Sequence, residues 1–259
     1  ANTLQNVGEM EKSGIEMAIT GTIVERPKFG LSAGLNVSTN KSKVISLGGA
    51  PSFTVGNYGW VKEGLPAPVL RGKIIRNPDA RGVAPDTASN YDFGPAQPTR
   101  IIGGNINLRT WRNISIAMRG EYQAGHYINE DASYQALSRS VLWPTCFDAY
   151  KNIAAQKPIT VRETLTCIPA NVRQDMFIFK ADFFKVRDIT VTVPLGRLVP
   201  GTASSSLVFS GQNLFRKNYG MPLFDPEMSG NDGFNATVRY ISEHIPAPAV
   251  FLTSLRMTF

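Results

Sequence analysis

The sequence has no apolar run approaching the ~18 residues that a membrane-spanning helix requires, so any membrane reading must rest on strands. Charge is sparse, at 18% of 259 residues, and there are only two cysteines and two histidines. The cysteines, Cys146 and Cys167, lack the C-x-x-C spacing of zinc or thiol-redox motifs. Neither His126 nor His244 has a second ligand at metal spacing, and both read as polar residues near strand ends. No metal or other cofactor is implied. The net charge is +7 with a pI near 9.5, which raises the question of nucleic acid. A nucleic-acid footprint gathers its cations on one face or in one run. Here they are scattered, the densest group being Lys41-Ser42-Lys43, and nucleic-acid binding is set aside. The opening Ala1–Gln5 has neither the basic start nor the apolar core of an export signal, and the expectation is a chain that continues from a longer protein.

What the sequence does have is alternation. Ile15, Met17, Ile19, Gly21 and Ile23 take one face, with Glu16, Ala18, Thr20 and Thr22 between them. After the turn at Arg26-Pro27-Lys28, Phe29, Leu31, Ala33, Leu35 and Val37 alternate with Gly30, Ser32, Gly34, Asn36 and Ser38. Side chains of a strand alternate faces with period two, so each segment has an apolar face and a small or polar one. The polar face of a soluble sheet usually carries Lys, Glu and Arg. This one carries Gly, Ser, Thr and Asn, which suits a packed or wet lumen. The pattern returns around Ile106 and Leu108, from Ile114 to Gln123, around Ile189 to Leu195, at Leu207 to Gly211, and from Phe251 to Phe259. Phe183 to Arg187 is ambiguous in phase, as at a β-bulge.

Short connections at Pro27, Trp111 and 196–204 alternate with long ones. The long stretches are 48–97, about 127–179, with a helix expected over Tyr134–Leu142, and 216–244. Unstructured connections longer than ~12–15 residues are unusual in compact domains, whereas barrels of the outer-membrane type pair short turns at one end with long loops at the other. The fold class predicted is therefore all-β: an antiparallel up-and-down transmembrane β-barrel segment with long extracellular loops. Cys146 and Cys167 fall in the second long stretch and suggest a disulfide and an oxidising compartment, unpaired thiols being the alternative.

Catalytic and metal motifs are weak. Gly30-Leu31-Ser32-Ala33-Gly34 has the G-x-S-x-G form of a nucleophile elbow, but that chemistry needs a sharp strand-to-helix turn and Ser32 lies mid-strand. Gly72-Lys73 lacks the earlier Gly and the hydroxyl residue of a P-loop. Asp225, Glu227, Asn231 and Asp232 could offer oxygen ligands to calcium, without EF-hand spacing; a solvated acidic loop is the blander reading. Trp60, Tyr134 and Trp143 could stack on sugar rings or simply pack a loop. An enzyme is not expected.

Several stretches resemble, in order, the last third of the SusC/RagA-type TonB-linked outer-membrane transporters. They are Asn6-Val7-Gly8-Glu9-Met10 with Ser13-Gly14-Ile15-Glu16, Asn40-Lys41-Ser42-Lys43-Val44, Ala181-Asp182-Phe183-Phe184-Lys185-Val186-Arg187-Asp188-Ile189, and Gly211-Gln212-Asn213-Leu214-Phe215 followed by Asp225-Pro226-Glu227. The resemblance implies that 1–259 is the carboxy-terminal part of a 22-stranded barrel, the plug domain being absent from this chain. It implies TonB-dependent uptake of oligosaccharides, glycans or peptides across the bacterial outer membrane, with a SusD-like surface lipoprotein as lid and TonB engaged through the missing amino-terminal part. The last strand, with Phe251, Leu255, Met257 and Phe259 on one face, resembles the sorting signal read by the barrel-assembly machinery, and its outward side would meet outer-membrane lipid. Two alternatives stay open: a soluble or surface-attached all-β glycan-binding module, and a passive porin. Lipid contact requires an outward face that is uniformly apolar and ringed by Trp, Tyr and Phe.

Overall fold

The computed structural model describes residues 8–197, 200–228, 238–242 and 246–259. In chain order, β1 (Glu9–Ser13) leads into β2 (Glu16–Arg26) and β3 (Phe29–Thr39). A first insertion holds β4 (Lys41–Ser46), β5 (Phe53–Val55), β6 (Gly59–Val61), β7 (Val69–Ile75) and β8 (Thr87–Pro95). The strands β9 (Arg100–Arg109) and β10 (Ser115–Ala124) follow. A second insertion holds β11 (Tyr127–Glu130), α1 (Asp131–Ser138), α2 (Phe147–Ala154), α3 (Val161–Thr166) and β12 (Ile178–Lys180). Then come β13 (Phe183–Gly196), β14 (Ser204–Asn218), the short β15 (Tyr240–Ile241) and β16 (Val250–Thr258).

Seven of these strands form one antiparallel sheet in the order β16-β14-β13-β10-β9-β3-β2. That is sequence order, an up-and-down meander whose connections alternate short and long as expected. Lengths run from 9 residues in β16 to 15 in β14, enough for a bilayer crossing, which takes about 9–11 tilted residues. The sheet is open: β2 and β16 are its edges.

Register assigns every side chain to a face, because residues directly opposite each other share one. One row reads Gly21, Ala33, Ile106, Met118, Ile189, Gly211 and Phe251 across all seven strands. The next reads Val24, Leu31, Leu108, Ile116, Val191, Phe209 and Thr253. The central rows of this face carry no ionisable side chain. Its residues are uncovered: Ile19 is 59% exposed, Ile106 43% and Phe251 76%. Leu255 and Met257 share the face and are exposed as well. Charges appear on it only near its ends, at Arg26, Arg100 and Lys217.

The two ends of the apolar face are aromatic. At the long-connection end Tyr122 meets Tyr219 edge-on at 5.9 Å and Phe184 lies 6.3 Å from Phe215, with the Lys217 ammonium 5.5 Å from the Tyr219 ring. At the short-turn end Phe29, Trp111 and Phe259 are exposed. Between them the apolar side of β13 runs from Phe184 to Leu195, roughly 35 Å along the strand at ~3.3 Å per residue. Tilted by about 40°, that covers the ~25 Å band of an outer-membrane barrel.

The phase ambiguity before Ile189 is a bulge. Arg119 pairs with Asp188 and Gly120 with Val186, so Arg187 is the extra residue. It puts Arg187 and Asp188 on the same polar face as Lys185, which strict alternation would forbid.

The three long connections are more ordered than the sequence suggested. Residues 48–97 contain a four-stranded antiparallel sheet, β5-β6-β7-β8. Its three-residue strands and two register shifts between β7 and β8 hide the alternation. In the second insertion the helix expected over 134–142 is α1, which begins earlier, at the Glu130 cap, and stops at Ser138. The helices α2 (Phe147–Ala154) and α3 (Val161–Thr166) lie in the part of this stretch expected to be irregular. In the third, β14 continues to Asn218 and β15 pairs with β11 in parallel. β4 leaves the main sheet and pairs with β1.

The insertions form one layer. Val161 N–H donates to the Ala80 carbonyl at 2.8 Å and Arg81 to the Pro158 carbonyl at 2.6 Å, joining the first two. Gln174 joins all three: the Tyr58 hydroxyl donates to its side-chain Oε1 at 3.0 Å, and its side-chain NH2 donates to Asp131 and, at 3.2 Å, to the Tyr240 hydroxyl. Cys146 and Cys167 are bonded to each other and buried in a core with Leu137, Ala149 and Phe177.

Candidate functional site

The face opposite the apolar one is mainly polar across β2 to β14, with Ile101 and Val208 as apolar exceptions, and gives way to Val250 and Leu252 on β16. One row reads Thr22, Ser32, Asn107, Ala117, Thr190 and Ser210; the next reads Thr20, Gly34, Asn105, Arg119, Asp188 and Gln212. Ser32 is thus mid-strand among hydroxyl and amide neighbours. Arg119 donates to Asp188 at 2.5 Å across β10 and β13, and Arg109 pairs with Glu25 near the short turns. Such a surface can solvate polar solutes, because most positions of these two rows carry hydroxyl, amide or charged side chains.

Toward the long-connection end this face carries a charged cluster. Lys185 is buried and donates to Asp225 at 3.0 Å and to Glu227 at 2.6 Å. Arg187, aimed here by the bulge, donates to Glu227 at 2.6 Å and to Glu121 at 2.9 Å. Arg216 lies 3.3 Å from Asp225. Three cations thus face three carboxylates, and a buried charge survives only when so paired. Burial raises the Glu227 carboxyl, but the hydrogen bonds from Arg187 and Lys185 outweigh it and hold the pKa below the usual carboxylate range. The cluster fastens the third insertion to the sheet wall.

This corrects the calcium reading of Asp225 and Glu227, whose oxygens serve ammonium and guanidinium groups. Asp232 and Asn231 lie outside the described residues, as do His244 and the first two residues of the Asn6-Val7-Gly8 motif. Among the described residues no group of three acidic, His or Cys side chains could hold a metal ion. His126 does lie between the ends of β10 and β11, as expected, but it is wholly buried rather than a rim residue, with neither ring nitrogen partnered. Burial, with the Arg239 charge, pushes its pKa down to about 3, so it is neutral. Nearby Glu130 caps α1, accepting from Ser133 N–H at 2.7 Å; burial pushes it up to about 7.

Of the three aromatic candidates, Tyr134 and Trp143 pack together on the disulfide core. The Trp143 indole donates to Ser133 at 2.7 Å and its ring lies 6.1 Å from Phe224. Trp60 belongs to the separate four-stranded sheet, where the Arg71 guanidinium stands 4.6 Å over its ring. They do not form one stacking platform. Sequence reasoning missed Lys185, Arg187 and Glu121 as a cluster; the phase break before Ile189 was the available signal.

A second feature is a cleft of about 360 Å³ where β7, α3, β12 and the 220–222 segment meet, with Lys73, Arg162 and Lys180 on its rim and Phe93, Ile178 and Pro222 among its apolar lining.

No family model and no curated protein matches this sequence. Solved structures do. The chain is similar to a chain of the RagAB peptide importer in its closed-closed state, at TM-score 0.68 and 16% identity, and in its open-open state, at 0.67 and 17%. It is similar to one in a further structure of the RagAB peptide transporter at 0.69 and 15%. In each case 98% of this chain is covered, and it spans about 30% of the length of those chains. At such identities the likeness establishes the fold, a segment of the sheet found in those transporters.

Proposed function

We propose that this chain is the carboxy-terminal part of the wall of a TonB-dependent outer-membrane transporter that takes up oligosaccharides or peptides. The observation that carries the reading is the uncovered apolar face: seven strands wide, free of charge in its centre and aromatic at both ends. In water such a face would be a very large exposed apolar patch; in a bilayer it is the outer wall of a barrel. A glycan-binding sandwich would cover it with a second sheet. The open edges of β2 and β16 fit the same reading, because a sheet in lipid must close to satisfy its backbone. The remaining strands and the plug would belong to parts of the protein outside this chain.

The polar face then lines the lumen, and the ordered layer of insertions lies on the extracellular side. Peptides are favoured as cargo because the similar structures are described as peptide importers. A SusD-like lipoprotein is the expected partner above the layer and TonB the partner below. The exposed Phe251, Leu255, Met257 and Phe259 supply the aromatic-apolar terminal strand for the barrel-assembly machinery.

The test is an immunoblot of fractionated cells, samples unheated and boiled. A heat-modifiable outer-membrane band far heavier than the chain's own 28.3 kDa is expected. A soluble band at that mass, unchanged by boiling, would sink the reading. Uptake that survives deletion of TonB would leave a passive porin instead.

A further inference from the structure

The cleft at the meeting of the three insertions differs from the charged cluster on the wall in one respect: its cations have no carboxylates among the residues that line it. Among the described residues the side chains of Lys73 and Arg162 form no ion pair or hydrogen bond, although neighbouring cations are paired, Arg71 with Asp92 at 2.6 Å and Arg76 with Asp86 at 3.8 Å. Lys180 contributes a third positive charge, held 2.9 Å from Asp182.

The backbone is shaped to present these groups. Gly72 pairs with Tyr91 and Ile74 with Ala88, so a bulge faces Lys73: β8 sets two residues, Ser89 and Asn90, against it, and Asn90 takes a φ of 58°. Two glycines let the walls approach. A Cβ on Gly72 would stand 2.4 Å from the Asp175 carbonyl oxygen, and one on Gly220 would stand 2.5 Å from that of Lys180. The lining also includes apolar Phe93, Ile178 and Pro222, and the volume of about 360 Å³ falls in the ~300–1,000 Å³ range of small-molecule sites.

We propose that this cleft binds an organic carboxylate joined to an apolar body, the carboxylate lying between Lys73 and Arg162 and the apolar group against Phe93 and Ile178. Arginine offers a planar fork matched to a carboxylate, and lysine a point charge beside it. The chemistry is shared by an acidic peptide and a simple aromatic acid. The cleft stands on its own geometry and does not depend on the transport reading.

The test is isothermal titration of the whole detergent-purified protein with N-acetyl-phenylalanyl-glutamate, with the corresponding fully amidated compound, and with 3-phenylpropionate. Saturable binding of the dipeptide acid is expected, with the amide at least tenfold weaker. Lys73→Gln and Arg162→Gln should each weaken the acid by roughly tenfold, and Lys73→Arg should retain most of the affinity. Binding of 3-phenylpropionate at the same site supports recognition of the carboxylate alone; binding of the dipeptide only, still lost in the variants, supports a site that reads the amide groups too. Equal affinity for acid and amide overturns the proposal, as does undiminished binding in Lys73→Gln/Arg162→Gln. Each variant is first shown to keep the wild-type circular dichroism spectrum and thermal transition, so that loss of binding concerns the cleft and not the fold.

Discussion

Replacing Ile106 by lysine separates a wall that faces lipid from one that faces water. Ile106 lies in the middle of β9, opposite Ala33 on one side and Met118 on the other, and is 43% exposed. Were that exposure to water, the substitution would behave as an ordinary surface change, within about ±0.5 kcal/mol. Against lipid, an ammonium near the bilayer midplane costs about 2–4 kcal/mol. The control is its neighbour Asn107, which register places on the polar face opposite Ser32 and Ala117; there Lys should change stability by less than 1 kcal/mol on the same surface scale. The assay is reversible denaturant unfolding of the whole barrel in lipid vesicles, followed by tryptophan fluorescence and by the heat-shift. The reasoning is refuted if Ile106→Lys costs no more than Asn107→Lys. Phe251→Lys at the end of the same row should repeat the result.

Three further outcomes follow from the insertions. Asp225→Asn with Glu227→Gln leaves buried Lys185 without a carboxylate and should weaken the anchoring of the third insertion by about 3–5 kcal/mol, read as faster amide exchange around Met228; Lys185→Met should cost less, because both carboxylates keep an arginine. Removing the Cys146–Cys167 bond by double Ala substitution should destabilise the second insertion by about 3 kcal/mol, seen as protease cleavage within 131–177 while the heat-shift persists; unchanged protease resistance would contradict it. On acidification from 6.5 toward 3 the unfolded chain protonates His126 while the folded one does not, so the layer should lose on the order of 1 kcal/mol per pH unit. Glu130 has the opposite sign, staying protonated when folded up to about 7, so its contribution falls as pH rises from 4.5. His126→Phe should remove the first slope and leave the second, as measured by amide exchange in β11 across pH 4–7.

What could be read from the sequence is what has short range. Alternation with period two is a property of each strand, so the faces of β2, β3, β10 and β16 were legible from their own residues, and the alternation of short and long connections ordered them into a meander. The shift of phase before Ile189 marked a bulge without saying what it served. Tertiary structure decided the rest. Lys185 meets Asp225 across 40 positions and Tyr58 meets Gln174 across 116, so neither pairing leaves a local pattern. The acidic residues that looked free for calcium are neutralised by wall residues that only the fold brings near. The three-residue strands of the insertions have too few residues to display a period, and the insertions are stabilised by a disulfide and by hydrogen bonds between them. His126 looked like a rim residue because its burial comes from packing between segments distant in sequence. The cleft has the same origin: Lys73 and Arg162 come from different insertions, and only the packing of the loop layer puts them on one rim.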